Sequence, residues 1–149
     1  MATEFTPDIA HLLFEQAPDG IIFADRDGII RAWNAAAERV FGYRSEHALG
    51  QSLDLIIPEQ FREPHWRGYR RAIEEGTTKY EGRHMPTRSH RADGSTLYVE
   101  LSFAIVTEGG RALGALAHVR DITERFQQER ENRKRLQELE RRLEALQTG

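Results

Sequence analysis

The sequence predicts an α+β domain: one antiparallel sheet with helices on one face, an amphipathic helix before it and a long helix after it. Three observations carry this expectation. The run "STLYVELSFAIV" alternates strictly, putting Leu97, Val99, Leu101, Phe103 and Ile105 on one side of a strand. Turn signals, "RDG", "ADG" and "EGGR", separate the strand candidates at hairpin spacing. From Asp121 onward the chain consists almost wholly of helix formers.

The elements follow in order. Residues 5–17, "FTPDIAHLLFEQA", place Phe5, Ile9, Leu12 and Leu13 on one helical face, and "PDG" ends that segment. "IIFADRDGIIRAWN" holds two short β-rich runs around Arg26-Asp27-Gly28, a hairpin. Asn34 suits the N-cap of a helix over 35–41, and Gly42 suits its C-terminal end. Ser45 is placed to cap a second short helix that stops at Gly50; Leu53, Leu55, Ile56 and Ile57 then run apolar into Pro58. "PEQFREPHWRGYRRAIEEG" reads as a third helix, with Pro64 in its first turn and Gly76 at its end. Phe61, His65, Gly68 and Ala72 form one stripe on it, joined by Tyr69. Three more strands follow: a short one in "KYEGRHM", the alternating run already quoted, and "ALGALAHVRDI". In the last, Leu113, Ala115, Ala117 and Val119 alternate with Gly114, Leu116 and His118. Several of these strands are apolar on both sides, which calls for a second surface to bury, a pocket wall or a docked helix.

In "DITERFQQERENRKRLQELERRLEALQTG", Asp121 and Glu124 have the spacing of a capping box. Leu136, Leu139, Leu143 and Leu146 follow 3-4-3 spacing, two heptads of a and d positions. Extended backwards, that register puts Asn132 at d and Glu129 and Ile122 at a, so the seam is polar in its middle. Glu129 with Arg133, Glu131 with Arg135 and Glu138 with Arg142 are i, i+4 pairs in the favourable order. Bare leucines at this spacing predict a homodimer to which this helix contributes.

Composition narrows the classes. The 149 residues suffice for one domain with one core, and a net charge of −3 gives no reason to expect nucleic acid or an anionic membrane as partner. No apolar run approaches the roughly 20 residues that span a bilayer. The N-terminus "MATEFTPDIAHLL" is not a secretion signal, so a cytoplasmic protein is expected. There is no cysteine, hence no disulfide, thiolate nucleophile, zinc-thiolate site or cysteinyl cofactor adduct. None of the six histidines forms a helical i, i+4 metal pair, and Pro86 stands between His84 and His90. No phosphate loop, nucleophile elbow or kinase signature is present, and a non-enzymatic role is expected.

Four phrases, "DGIIFADRDGIIRAWNAAAERVFGY", "ALGQSLDLIIP", "RADGSTLYVELS" and "VRDITE", in this order and at these spacings, resemble a PAS sensory domain over about residues 9–125. The resemblance implies a five-stranded antiparallel sheet, helices over one face and a ligand cavity between them. It also implies that Asp121-Ile122-Thr123 joins the last strand to an outgoing signalling helix. The expected organisation is an N-terminal helix over 1–17, the PAS domain over 18–123 and a coiled-coil helix over 124–149.

Light-oxygen-voltage flavin domains, a related type, use a reactive cysteine that this chain lacks. Non-covalent flavin is a weaker expectation, with Trp33 and Trp66 as its flanking residues. Resemblance to haem-binding oxygen-sensor PAS domains is closer and implies haem b. On that resemblance His65, which follows Pro58-Glu59, is the proximal iron ligand and Arg71 a propionate partner. Arg83, on the "EGR" strand, is the distal arginine; Tyr69, Leu101, Phe103, Ala115 and Ala117 complete the pocket. If Arg83 points inward, alternation sends His84 outward, and His118 lies opposite Ala117. The expected function is sensing: a small ligand or cofactor binds in the cavity and its state passes to a dimer helix and a downstream signalling protein or output domain. The alternatives are a haem-based gas or redox sensor and a ligand-free dimerisation module.

Overall fold

The computed structural model describes residues 2–80 and 82–148. The helices are α1 (Pro7–Gln16), α2 (Ala35–Phe41), α3 (Ser45–Ala48), α4 (Glu59–Glu75) and α5 (Thr123–Thr148). The strands are β1 (Gly20–Asp25), β2 (Ile30–Trp33), β3 (Met85–His90), β4 (Thr96–Glu108) and β5 (Arg111–Asp121). They form one five-stranded sheet in the order β2-β1-β5-β4-β3, with every pairing antiparallel. The first and last strands therefore meet in the middle, where β1 lies against β5.

Register decides which side chains look at the helices. Ile22, Ala117 and Phe103 stand in one row across β1, β5 and β4. Ala24, Ala115 and Ile105 make the next row, and Gly20, Val119 and Leu101 the row on the other side. The core gathers Ile22, Ala24, Ile30, Trp33, Ala37, Phe41, Leu97, Val99 and Val119. Trp33 packs against Phe41 and its Nε1 donates to the Tyr43 carbonyl at 3.0 Å, so this tryptophan is part of the core. β4 is covered unevenly: Leu97 and Val99 are buried, but every residue from 101 to 106 is half-buried, on both faces of the strand.

Asn34 does more than cap α2. Its side chain is fully buried and makes four hydrogen bonds: Oδ1 accepts from the N–H groups of Ile21 and Ala37, and Nδ2 donates to the carbonyls of Phe14 and Asp19. One amide thus ties α1, the entry to β1 and the first turn of α2 together. Gly42 ends α2 in the left-handed region at φ 82°, as its place in the sequence suggests.

Four local expectations are corrected. Ser45 is not a cap: Arg44 holds the N-cap position of α3, and the Ser45 N–H donates to Glu38. Pro64 lies inside α4, which starts at Glu59 after Pro58; Pro64 supplies no N–H to that helix. The strand expected over 79–85 begins only at Met85; Glu81, within it, lies outside the described residues. Instead the Arg83 N–H closes a turn onto the Tyr80 carbonyl, and β3 runs through Pro86 to His90. An edge strand tolerates this proline because its missing donor is not needed by a neighbour. His90 ends β3, with Nε2 3.1 Å from the Leu55 carbonyl.

The fourth correction concerns α4. Its inward stripe is Arg62, Trp66, Tyr69 and Ile73, flanked by His65 and Ala72, one residue on from the stripe expected. Phe61 is 42% exposed, and a Cβ on Gly68 would meet nothing within 4 Å, so Gly68 opens no close approach. Rotating the helix by one residue buries two large amphipathic rings whose polar tips find partners, a larger gain than burying a glycine.

We expect Asn34→Ala to lower unfolding free energy by about 3 kcal/mol, since it strands several buried backbone groups at once. Asn34→Asp should also destabilise, because a carboxylate accepts from Ile21 and Ala37 but cannot donate to Phe14 and Asp19. Denaturant titration of both variants measures the loss.

Candidate functional site

The inner face of α4 carries the chemistry. Trp66 Nε1 donates to Asp54 Oδ1 at 2.8 Å, tying the helix to the segment that precedes it. The indole lies over Gly28, whose φ is +77° and whose imagined Cβ would come within 2.1 Å of Trp66 Cζ3. Only glycine both takes that backbone conformation and leaves the space. The Tyr69 hydroxyl reaches β1, donating to the Asp25 carbonyl at 2.6 Å, with the Ala24 carbonyl at 3.2 Å. Burial, with the Asp25 carboxylate nearby, pushes the Tyr69 phenol up to about 12, so it stays a neutral donor.

His65 clusters with these two rings, 4.8 Å edge-on from Trp66 and 5.8 Å from Tyr69 between centroids, while Trp66 and Tyr69 are 5.5 Å apart. Its Nδ1 is buried and has no hydrogen-bond partner among the described residues. Burial holds its pKa below the ordinary histidine value, against the opposing pull of the Asp54 charge, so the ring is neutral at pH 7. Across from α4, Leu101, Phe103, Ala115 and Ala117 share the inner face of the sheet and are all half-buried. The small side chains of Ala24, Ala115 and Ala117 leave that wall shallow.

The arginines expected in the pocket are elsewhere. Arg83 is exposed in the turn before β3, because the strand that was to aim it inward starts two residues later. Arg71 is exposed on the far side of α4 from the Tyr69 stripe. His84 is exposed beside Glu100 at 3.5 Å, and His118 is exposed on the outer face of β5.

The second built feature is the exit from β5. Asp121 Oδ1 accepts the Thr123 N–H at 2.9 Å and lies 2.6 Å from the Thr123 hydroxyl; Oδ2 meets Arg91 at 3.1 Å. Burial would raise the Asp121 pKa, but these hydrogen bonds and the Arg91 charge hold it below the usual carboxylate range. Thr123 Oγ1 accepts the Tyr98 N–H at 3.1 Å, and the Ile122 N–H donates to the Tyr98 carbonyl at 2.9 Å. Ile122 is buried. One helical turn on, Phe126 stacks on Tyr98 with centroids 3.9 Å apart, and Arg125 meets Glu100 at 3.0 Å. Sequence reading found Asp121, Ile122 and Thr123 but not Tyr98, Glu100 or Arg91. These lie 24 to 30 residues upstream of the groups they meet, and only strand pairing brings them together.

The depressed pKa of His65 predicts a pH dependence. The unfolded histidine, with a pKa near 6.5, takes up protons before the folded one does. Its contribution to stability is therefore complete above about pH 6.5 and declines as pH falls below it. Unfolding titrations between pH 7.5 and 5 should show His65→Gln flattening this part of the stability profile; an unchanged slope would assign it to other groups.

Comparison with known proteins places this architecture. A family model described as the PAS fold matches residues 14–127. The chain is 28% identical over 119 residues to the Oxygen sensor protein DosP of Escherichia coli, covering 80% of this chain and 15% of that protein. It is 33% identical over 126 residues to the Sensor protein FixL of Bradyrhizobium diazoefficiens, covering 85% of this chain and 24% of that one. It thus spans a quarter or less of the length of these relatives. Among solved structures, the PAS domain of a protein from Colwellia psychrerythraea aligns with a TM-score of 0.68 and 26% identity, covering 78% of this chain and 97% of that one. With its five-stranded antiparallel sheet, its helices and a family match over most of its length, the chain belongs to the PAS family.

Proposed function

We propose that this chain is a sensory module that binds a small ligand between α4 and the half-covered part of its sheet. In this reading it passes the ligand state through Asp121, Ile122 and Thr123 to α5, which pairs with a second copy and leads to an output partner. The observation that carries the reading is the unpartnered Nδ1 of His65. An unmet buried polar atom costs about 1–3 kcal/mol, and on the inner face of the sheet Leu101, Phe103, Ala115 and Ala117 are still half-covered. A ligand with one polar group and an apolar body answers both features.

A haem-based sensor is the second reading. It is favoured by the neutral, buried imidazole and by similarity to a relative named an oxygen sensor. The residues fit on one side: His65 would hold the iron, and Leu101, Phe103, Ala115 and Ala117 would form the apolar wall. Arg83 and Arg71, both exposed, do not stand against that space and are given no part in it. When bound, haem supplies an iron centre that takes a diatomic gas. The chain's own contribution is to keep His65 neutral by burial, to orient it by packing against Trp66 and Tyr69, and to exclude water with the sheet wall.

Titration of the purified protein with hemin tests this reading. The haem form of the proposal expects a Soret band in the wild type, with ferrous deoxy, oxy and carbonyl forms, and their loss in His65→Ala. Uptake by His65→Ala with an unaltered spectrum would overturn His65 as ligand. If hemin is not taken up, thermal stabilisation by other small apolar molecules, lost on mutation of Phe103 or Ala117 to larger residues, would support the broader reading. A core that no molecule stabilises would leave a ligand-free dimerisation module.

For the relay, losing the Asp121 cap should cost about 1 kcal/mol. Asp121→Ala should lower hydrogen-exchange protection in the first turns of α5 more than in the sheet. Uniform loss across both would show simple destabilisation instead of a relay role.

A further inference from the structure

We infer that Ser89, His90 and Arg91, three successive residues where β3 ends, form a clasp that couples α4 to the exit from β5. The first two grip the segment that leads into α4, and the third grips Asp121. This rests on the relay part of the function proposed above and supplies what that reading leaves open: the route by which a shift of α4 reaches the exit.

Residues 54–57 lead into α4, and the carbonyl of each of the four accepts from a side chain. Arg62, near the start of α4, donates from Nε to the Ile57 carbonyl at 3.0 Å and from Nη2 to the Asp54 carbonyl at 3.2 Å. The two carbonyls between them go to β3. Ser89 Oγ donates to that of Ile56, and His90 Nε2 lies 3.1 Å from that of Leu55. A carbonyl oxygen only accepts, so Nε2 carries the proton of this bond. α4 therefore holds the segment at both ends and β3 holds it in the middle. Ser89 is 6% exposed, and Leu55, Ile56 and Ile57 pack against the core. In so dry a setting a bond lost without replacement is costly, so a displacement of the segment is shared with the end of β3.

Arg91 comes next in the chain. Its N–H donates to the Ser95 carbonyl and its Nη1 to the Thr96 carbonyl at 3.2 Å, which orients the guanidinium within its own hairpin. Nη2 meets Asp121 Oδ2 at 3.1 Å, while Oδ1 of the same carboxylate holds Thr123, the first residue of α5. The Ala92 N–H donates to the Phe41 carbonyl at 2.8 Å and anchors the hairpin to the end of α2. With Ala92 anchored, a shift at residues 89 and 90 is taken up at Arg91, which lies between. The other link from α4 to the central strands is the Tyr69 hydroxyl on the carbonyls of Ala24 and Asp25. Those residues pair with Ala115 and Gly114, six and seven residues before Asp121. That link meets β5 far from its exit, whereas the clasp meets Asp121 itself.

The test uses the whole chain without ligand and reads amide exchange at Thr123 and Phe126, whose N–H groups bond Asp121 and Ile122. Arg62→Ala frees the segment from α4. It should speed exchange at both amides about fivefold, the scale of one lost hydrogen bond, with less effect on β1. In a chain that also carries Ser89→Ala and His90→Phe, the added effect of Arg62→Ala should fall below about twofold; Arg91→Leu should silence it likewise. His90→Gln keeps a donor for Leu55 and should preserve the response. Chemical shifts of the stacked Tyr98 and Phe126 rings, read on the folded chain, give the same comparison where a variant is less stable. An equal response with the clasp cut and intact overturns the route, as does an α5 that ignores Arg62→Ala in the otherwise unaltered chain. Tyr69→Phe should leave the response in place; its loss there would assign the route to β1 and overturn the clasp. Failure of the relay itself is seen separately, as uniform loss of protection in Asp121→Ala, and ligand binding is scored by hemin or small-molecule uptake.

Discussion

The side chain of Asn34 is the constraint on which the architecture depends. It is buried completely and spends its whole hydrogen-bonding capacity on backbone groups of α1, β1 and α2. A buried amide satisfied in this way specifies geometry, because any displacement of one element leaves polar groups unpaired in a low-dielectric interior. It holds α2 so close to the sheet that a side chain at Gly20 would press against Ala37. β1 in turn pairs with β5 over six residues, from Gly20 with Val119 to Asp25 with Gly114. The placement of the central strands, and hence of the inner sheet face, follows from that anchor.

Against this fixed half, α4 is held by side chains more than by dense packing. Trp66 grips Asp54, Tyr69 grips the end of β1, and Ile73 is its one buried residue. Leu97 and Val99 are sealed, whereas Leu101, Phe103, Ala115 and Ala117 are left half-covered. Dense packing over one half of the sheet and polar tethers over the other is a physical division of labour: the first supplies stability, the second leaves part of the inner face open. His65, on α4, has a buried Nδ1 with no hydrogen-bond partner among the described residues.

The exit from the sheet is built differently again. Asp121, Thr123, Tyr98, Phe126, Arg91, Arg125 and Glu100 interlock the last strand, its neighbour and the first turn of α5. Most of these groups are only partly buried, so each contact is modest by itself. Their number fixes the direction in which α5 leaves, while no one of them is strong enough to prevent it from shifting. The helix is thus attached by many weak contacts at one end and carries four exposed leucines, Leu136, Leu139, Leu143 and Leu146, towards the other.

How far the sequence reaches can be judged element by element. Alternation over 97–105, the Asn34 cap, the Gly42 and Gly76 ends and the leucine spacing in α5 were legible, because each depends on a periodicity or on a residue's own backbone and hydrogen-bonding preferences. The family was legible for the same reason, as a fixed order of such local signals. The rotation of α4 was not. Phe61, His65, Gly68 and Ala72 make a plausible apolar stripe, and only the sheet's partners for the Trp66 and Tyr69 polar tips decide for the next stripe along. Nor was the position of β3, where the pairing of Met85 with Leu101 overrides the β propensity of residues 79–84 and leaves Arg83 outside. By itself the sequence determined which residues are apolar, which turn and which cap. The tertiary structure alone decided which of them face one another, because burial and hydrogen-bond satisfaction are settled between elements distant in the chain.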